Sequence, residues 1–200
     1  MTRRLVLAST SPWRGDLLRR LGVPFDQLDP DLDEAPFKEQ GLRPRDLVVT
    51  LAEAKARALA AAAPDALILG ADQVVAVDGD VLGKPGSADR ALAQLRRMAG
   101  RTHDLITGVV LLDARTDTLQ RRVDVHRMTM RALTDAQLRD YIERDDPLAC
   151  AGSYKVEALG AALFDKMEGD DWTAIVGLPL SVVVTMLAAA GVDVLGGPAL

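Results

Sequence analysis

Residues 67–85, Leu-Ile-Leu-Gly-Ala-Asp-Gln-Val-Val-Ala-Val-Asp-Gly-Asp-Val-Leu-Gly-Lys-Pro, restrict the possible folds more than any other stretch of the chain. Two short apolar runs, 67–69 and 74–77, read as buried strand. Asp78-Gly79 is a hairpin signal ahead of Val81-Leu82. Gly70 and Ala71 let the backbone approach whatever lies above the strand, and Asp72 is the first ionisable side chain to emerge. Lys84, beside Pro85, closes the segment. An acid and a base thus stand at the two ends of a strand–hairpin unit, aimed at one cleft. The plain alternative is a solvated turn acid and a surface lysine.

Around this unit, strands and helices alternate. Residues 5–8 read as a first buried strand, breaking at Ser9-Thr10-Ser11-Pro12 into a helix. Ser11 suits the N-cap, Pro12 the first helical position and Gly22 the C-terminal cap. A strand, a hydroxyl-rich turn and a helix N-terminus together form an anion-binding arrangement, since free amides and the helix dipole both favour negative charge. Ser9, Ser11 and Arg14 add side-chain donors there; a helix cap without a ligand is the alternative. Residues 25–39 read as an acidic, proline-punctuated loop with one short strand. Its clustered carboxylates are either a solvated face or what a hard divalent cation needs.

A long helix over 44–63 carries Leu47, Val48, Leu51, Ala54, Ala58 and Leu59 on one side, with Lys55 in its middle. A helix over 88–99 follows, then two long strands over 102–113 and 119–131. Thr134-Asp-Ala-Gln137 is a capping box opening the next helix. A strand is expected over 161–164, and a final apolar helix from Pro179 to Ala190. The long hairpin interrupts the alternation, so the sheet of this α/β fold is expected to be mixed. With no repeat and no linker, a single domain over 1–200 is expected, with 194–200 as a frayed tail.

Net charge is −5, so no basic field attracts a nucleic-acid backbone. Cys150 is the only cysteine, which excludes an intrachain disulfide and fits a reducing compartment. The apolar run near the N-terminus is too short for a signal peptide, and no run approaches the roughly 18 residues of a membrane span. A cytoplasmic protein is the expectation. There is no Gly-x-Gly-x-x-Gly and no P-loop motif. His103 and His126 lie away from these features, and Cys150 reads as a small core residue.

Several segments taken together resemble the Maf family of nucleoside triphosphate pyrophosphatases. They are Leu7-Ala-Ser-Thr-Ser-Pro-Trp-Arg14, Leu32-Asp-Glu34, Ala52-Glu-Ala-Lys55, Gly70-Ala-Asp-Gln73, Gly83-Lys-Pro85, Thr107-Gly108, Ala151-Gly-Ser-Tyr154 and Val176-Gly-Leu-Pro-Leu180, in the family's order. Trp13, Gln73 and Ser153-Tyr-Lys-Val-Glu157 are similar to the branch acting on 7-methyl-GTP rather than that acting on dTTP and UTP. Two positions depart from the pattern: Gly15 stands where a second arginine is common, and Ala158 replaces a glycine.

The resemblance implies an elongated mixed sheet with flanking helices and two lobes around a deep cleft. It implies hydrolysis of 7-methyl-GTP to 7-methyl-GMP and pyrophosphate, with a divalent cation (Mg2+, Mn2+ or Co2+) and a homodimer. Arg14, Lys55 and Lys84 become cationic clamps, above Ser9 and Ser11. Glu34 and Asp72 become metal-side carboxylates, and Asp72 is also the family's proton acceptor; chemistry alone leaves its two roles open. Trp13 would meet the charged methylated base by cation–π contact, Glu157 would accept from its Watson–Crick edge, and Gln73 would add a hydrogen bond. Lys155 would reach a phosphate or pair with Glu157. The rival readings are the same chemistry on dTTP, UTP or another modified nucleotide, and a non-catalytic nucleotide-binding regulator of cell division.

Overall fold

A computed structural model of the chain describes residues 3–195. In chain order its regular elements are β1 (Leu5–Ala8), α1 (Pro12–Arg19), β2 (Asp26–Leu28), α2 (Ala35–Lys38), α3 (Pro44–Ala58), β3 (Leu67–Val77), β4 (Asp80–Leu82), α4 (Ala88–Met98), β5 (Thr102–Asp113), β6 (Thr118–Met130), α5 (Asp135–Asp145), β7 (Phe164–Glu168) and α6 (Leu180–Ala189). The strands form a seven-stranded sheet ordered β2-β1-β3-β5-β6-β7, with β4 paired to β3. β1 runs parallel to β2 and β3, whereas β3–β4 and β6–β7 are antiparallel, so the sheet is mixed as expected.

The chain divides into two compact units: Met1–Asp72 with Thr107–Asp124 and Asp171–Leu200, and Gln73–Ile106 with Val125–Asp170. The first holds a core of Leu5, Leu7, Leu17, Leu18, Leu67, Leu69, Val109, Leu111, Leu178, Val183 and Leu187, all nearly inaccessible to water. On the other side of the same strands, Val6, Ala8, Ile68 and Leu112 pack against Ala56 and Leu59 of the α3 region. Consecutive strand residues therefore face two apolar layers, which is why the runs read as continuously hydrophobic rather than alternating. In the second unit His103, Tyr154 and Phe164 form an aromatic cluster, with Tyr154 and Phe164 edge to face at 4.9 Å between centroids.

Three sequence expectations are refined. The two apolar runs around Asp72 belong to one unbroken eleven-residue strand, β3, because Gly70, Ala71 and Asp72 keep extended geometry between them. The acidic loop contains the single turn α2 as well as β2. The strand expected over 161–164 is instead a 3-10 helix, Leu159–Leu163, and β7 begins at Phe164. Small residues Gly160, Ala161 and Ala162 favour the tighter turn over a pleated strand. Among the described residues no helix is long and apolar enough to cross a membrane. The expected tail lies, from 196 onward, outside the described residues.

Two glycines set how closely α3 lies on the sheet. A Cβ built on Gly70 would stand 2.0 Å from the Ala52 carbonyl oxygen, and one on Gly108 would stand 2.6 Å from that of Val48. Both obstacles are helix backbone, which cannot swing aside as a side chain can. Gly70→Ala is therefore expected to cost about 1–3 kcal/mol, as overpacked core substitutions do. Urea unfolding of the two proteins checks this, and an unchanged midpoint would contradict the tight approach.

Candidate active site

Parallel pairing brings the hydroxyl turn and the acid together. The β1–β3 register sets Ala8 opposite Gly70, so the chain leaves β1 at Ser9 beside the stretch of β3 that reaches Asp72. Ligands of open α/β sheets collect at this carboxyl end of parallel strands. Ser11 caps α1, its Oγ accepting from the Arg14 N–H at 3.5 Å, and Pro12 opens the helix as expected. Ser9 Oγ accepts from the Ser11 N–H at 3.1 Å, and the carbonyls of Ser9 and Ser11 both accept from the Gln27 side chain.

Lys55 is the hub. Its ammonium donates to Asp72 Oδ1 at 2.6 Å and lies 2.8 Å from Glu34 Oε1. Lys55 and Asp72 are each only 8% exposed. α3 delivers the lysine because Ala52, one turn earlier, is the residue pressed against Gly70. Glu34, N-cap of α2, receives a second ammonium on Oε2, from Lys38 at 2.6 Å. Burial pushes the Glu34 carboxyl up, but the Lys38 and Lys55 hydrogen bonds outweigh it and hold the group down at about 2.

Arg14 closes the group. Its Nε donates to the Gly177 carbonyl at 3.0 Å and its Nη1 to Ser9 Oγ at 3.5 Å. Burial draws its pKa down, against the opposing charges of Asp72 and Glu34; an arginine remains a cation nonetheless. The Gly177 carbonyl is itself braced. Buried Asp171 accepts from the Thr173 N–H and hydroxyl through Oδ1, and from the Ser181 N–H and hydroxyl through Oδ2. This carboxylate clasps a 3-10 turn to the start of α6, and the Gly177 loop lies between. Asp171 was not singled out in the sequence; an aspartate two residues before a threonine and ten before a serine at a helix start is its only trace there.

Ser9, Ser11, Arg14, Glu34, Lys55 and Asp72 thus all meet in the first unit. Trp13, on the first turn of α1, is 41% exposed. Among the second unit's residues, Lys84 and Glu157 are exposed and Lys155 is half-buried. The loop carrying Lys84 is tied down by backbone bonds from Gly152 to Gly83 and from Gly86 to Leu148. Burial raises the Cys150 thiol, with Lys155 and Lys84 lowering it and Glu157 and Asp145 raising it. The Lys155 ammonium donates to the Asp145 carbonyl, an engagement the sequence did not foreshadow. Gln73 is half-buried on β3, one residue beyond the acid.

His103 and Trp172 stay outside these clusters. His103 is buried against Tyr154, its Nε2 3.2 Å from the phenol oxygen, and burial lowers it to about 4. Trp172 is a rim residue, 60% exposed beneath the Arg20 guanidinium at 5.5 Å. Ala158 has φ −127°, outside the left-handed region that favours glycine.

The model of the family described as Maf-like protein matches residues 4–190. The chain belongs to the Maf family. A protein of Syntrophotalea carbinolica named 7-methyl-GTP pyrophosphatase is 47% identical over 98% of both chains. Proteins of the same name from Thiobacillus denitrificans and Nitrosococcus oceani are 46% and 44% identical over at least 95% of each chain.

Among the described residues no three histidines, cysteines or carboxylates form a metal cage. Glu34 and Asp72 converge from distant segments on the Lys55 ammonium. Two carboxylates are a donor set that an ion of the Mg2+ type would take, completing its shell with water and phosphate oxygens.

The depressed Glu34 value has a stability consequence. A carboxyl held at about 2 in the fold and near its ordinary 4.5 unfolded stabilises the fold above the unfolded value, and this contribution disappears as pH falls through the folded one. Glu34→Gln is therefore expected to be less stable than the parent at pH 7, by about 1–3 kcal/mol after allowance for partial exposure. The gap should shrink between about pH 5 and pH 2. Urea midpoints at pH 7, 4 and 3 measure it; a gap unchanged at pH 3 would contradict the shared ammonium.

Proposed function

We propose that this chain is a cytoplasmic nucleoside triphosphate pyrophosphatase that hydrolyses 7-methyl-GTP to 7-methyl-GMP and pyrophosphate. The observation that carries the reading is chain-long identity to proteins bearing that name. The convergence of Arg14, Lys55 and Asp72 in the middle of β3, just past the end of its pairing with β1, supports the chemistry.

A triphosphate carries about four negative charges, and the first unit supplies donors for it. The Ser9 and Ser11 hydroxyls and the α1 N-terminus bind phosphate oxygens. Arg14, with Nε and Nη1 committed to the Gly177 carbonyl and Ser9, presents Nη2 to the anion. Lys55 moves from bridging two carboxylates to sharing them with the substrate's charge. A water attacks one phosphorus of the α–β anhydride, and the bridging oxygen leaves with the departing phosphate group. The water's proton passes to Asp72, whose Oδ1 is oriented by Lys55 and whose Oδ2 is the accepting atom. A divalent cation, of the magnesium, manganese or cobalt kind, held by Glu34 and Asp72 would neutralise phosphate charge and polarise the anhydride.

Lys84 and Lys155 are proposed as further phosphate cations. Methylation at N7 makes guanine cationic, and the Trp13 indole attracts such a ring by about 0.5–2 kcal/mol. Glu157 accepts from the Watson–Crick edge and balances the ring's charge, and Gln73 adds one hydrogen bond.

Pyrophosphate release from 7-methyl-GTP, GTP, dTTP and UTP, with and without magnesium, tests this. The methylated nucleotide is expected to be turned over fastest, and only with the metal; faster release from dTTP or UTP would move the chain to the other branch. Asp72→Asn should lower kcat by about 10²–10⁴-fold. Undiminished turnover would remove Asp72 from catalysis. No turnover of any nucleotide by the parent would favour a binding regulator. Trp13→Ala should lower kcat/KM for 7-methyl-GTP by about two- to thirtyfold while leaving GTP nearly unchanged.

A further inference from the structure

We propose that Gln27 is a positioning residue for the phosphate-binding turn, and that Gly15 is glycine in this chain to make room for it. The inference rests on the reading of the Ser9–Ser11 turn as the triphosphate site.

Gln27 lies in β2, paired in parallel opposite Leu7 of β1. Its Nε2 donates to the Ser9 carbonyl at 2.9 Å and to the Ser11 carbonyl at 2.8 Å. Both partners are carbonyl oxygens, so chemistry decides which end of the amide faces them, and both amide hydrogens are used. The turn is thereby stapled across its two serines from a neighbouring strand. An anion site needs its N–H and O–H donors turned to the ligand and its carbonyls turned away. Two carbonyl oxygens facing a triphosphate would repel it; Gln27 holds the Ser9 carbonyl, and it gives a second bond to the Ser11 carbonyl, which as the N-cap's also accepts from the Gly15 N–H at 3.3 Å.

The other end of the amide meets Gly15. A Cβ at position 15 would stand 2.3 Å from Gln27 Oε1 and 3.2 Å from Cδ. A side chain there requires the Gln27 amide to shift from its observed place. The second arginine common at this position is incompatible with Gln27 in its observed place. Glycine at position 15 leaves room for a brace that orients the donors already present. Gly15 and Gln27 act as one device on two elements.

Gln27→Glu is the decisive variant, because it keeps the shape, removes both donors and sets a negative charge against two carbonyls. KM for 7-methyl-GTP should rise about five- to tenfold with kcat within about twofold. Gly15→Ala should act the same way, and Gly15→Ala added to Gln27→Ala should cost nothing further, since the brace is already gone. The dissociation constant of tripolyphosphate, measured by calorimetry, should follow the KM changes. An unchanged KM for Gln27→Glu, or additive effects in the double variant, would overturn the proposal while leaving the enzymatic reading intact. A parent that binds tripolyphosphate, weakened by Gln27→Glu, yet does not hydrolyse 7-methyl-GTP would sustain the brace and overturn the substrate. A parent that binds neither would overturn both.

Discussion

A single buried ammonium organises the first unit. Lys55 sits between Glu34 and Asp72, 2.8 Å from one and 2.6 Å from the other, in a place where an unpaired charge of either sign would be costly. Each carboxylate is tolerable because the lysine is there, and the lysine because the carboxylates are. The arrangement is not an efficient route to stability, since well-packed apolar groups commonly do as well. In the proposed reaction it would keep two anions and a cation desolvated and oriented ahead of substrate, so that less reorganisation is required when charge arrives.

The ion cluster in turn depends on uncharged geometry. Without Gly70 the backbone of α3 would stand off the sheet, and Lys55 would fall short of Asp72. Arg14 depends on a chain of neutral and charged groups running outward from the site, from Gly177 to the Asp171 clasp with Thr173 and Ser181. Burial raises the Asp171 carboxyl, but its Thr173 and Ser181 hydrogen bonds more than offset this. The groups proposed to touch substrate are held in place by others that lie further away.

Much of this was legible in the sequence. The capped turn at Ser11-Pro12, the two-layer apolar runs of β1 and β3 and the capping box of α5 are local signals, and local signals survive without a fold. Asp72 and Lys55 were identifiable as candidates, and a parallel β1–β3 pairing was needed to make them neighbours of Ser9. What stayed hidden depends on non-local partners. Gln27 is an unremarkable polar residue until its strand lies beside β1. Asp171 looked like one acid of a surface turn. Residues 161–164 read as strand because hydrophobicity over so short a run cannot distinguish a pleat from a 3-10 turn.

The Gly177 carbonyl that steadies Arg14 is 163 residues away along the chain. A polypeptide emerging from the ribosome can cap the Ser11 turn early, but the Arg14 guanidinium has no anchor until residue 177 has been made. Such long-range closure slows folding relative to a helical bundle of equal size. It also means that a chain cut short before that loop would carry the recognisable N-terminal motif without the means to aim it.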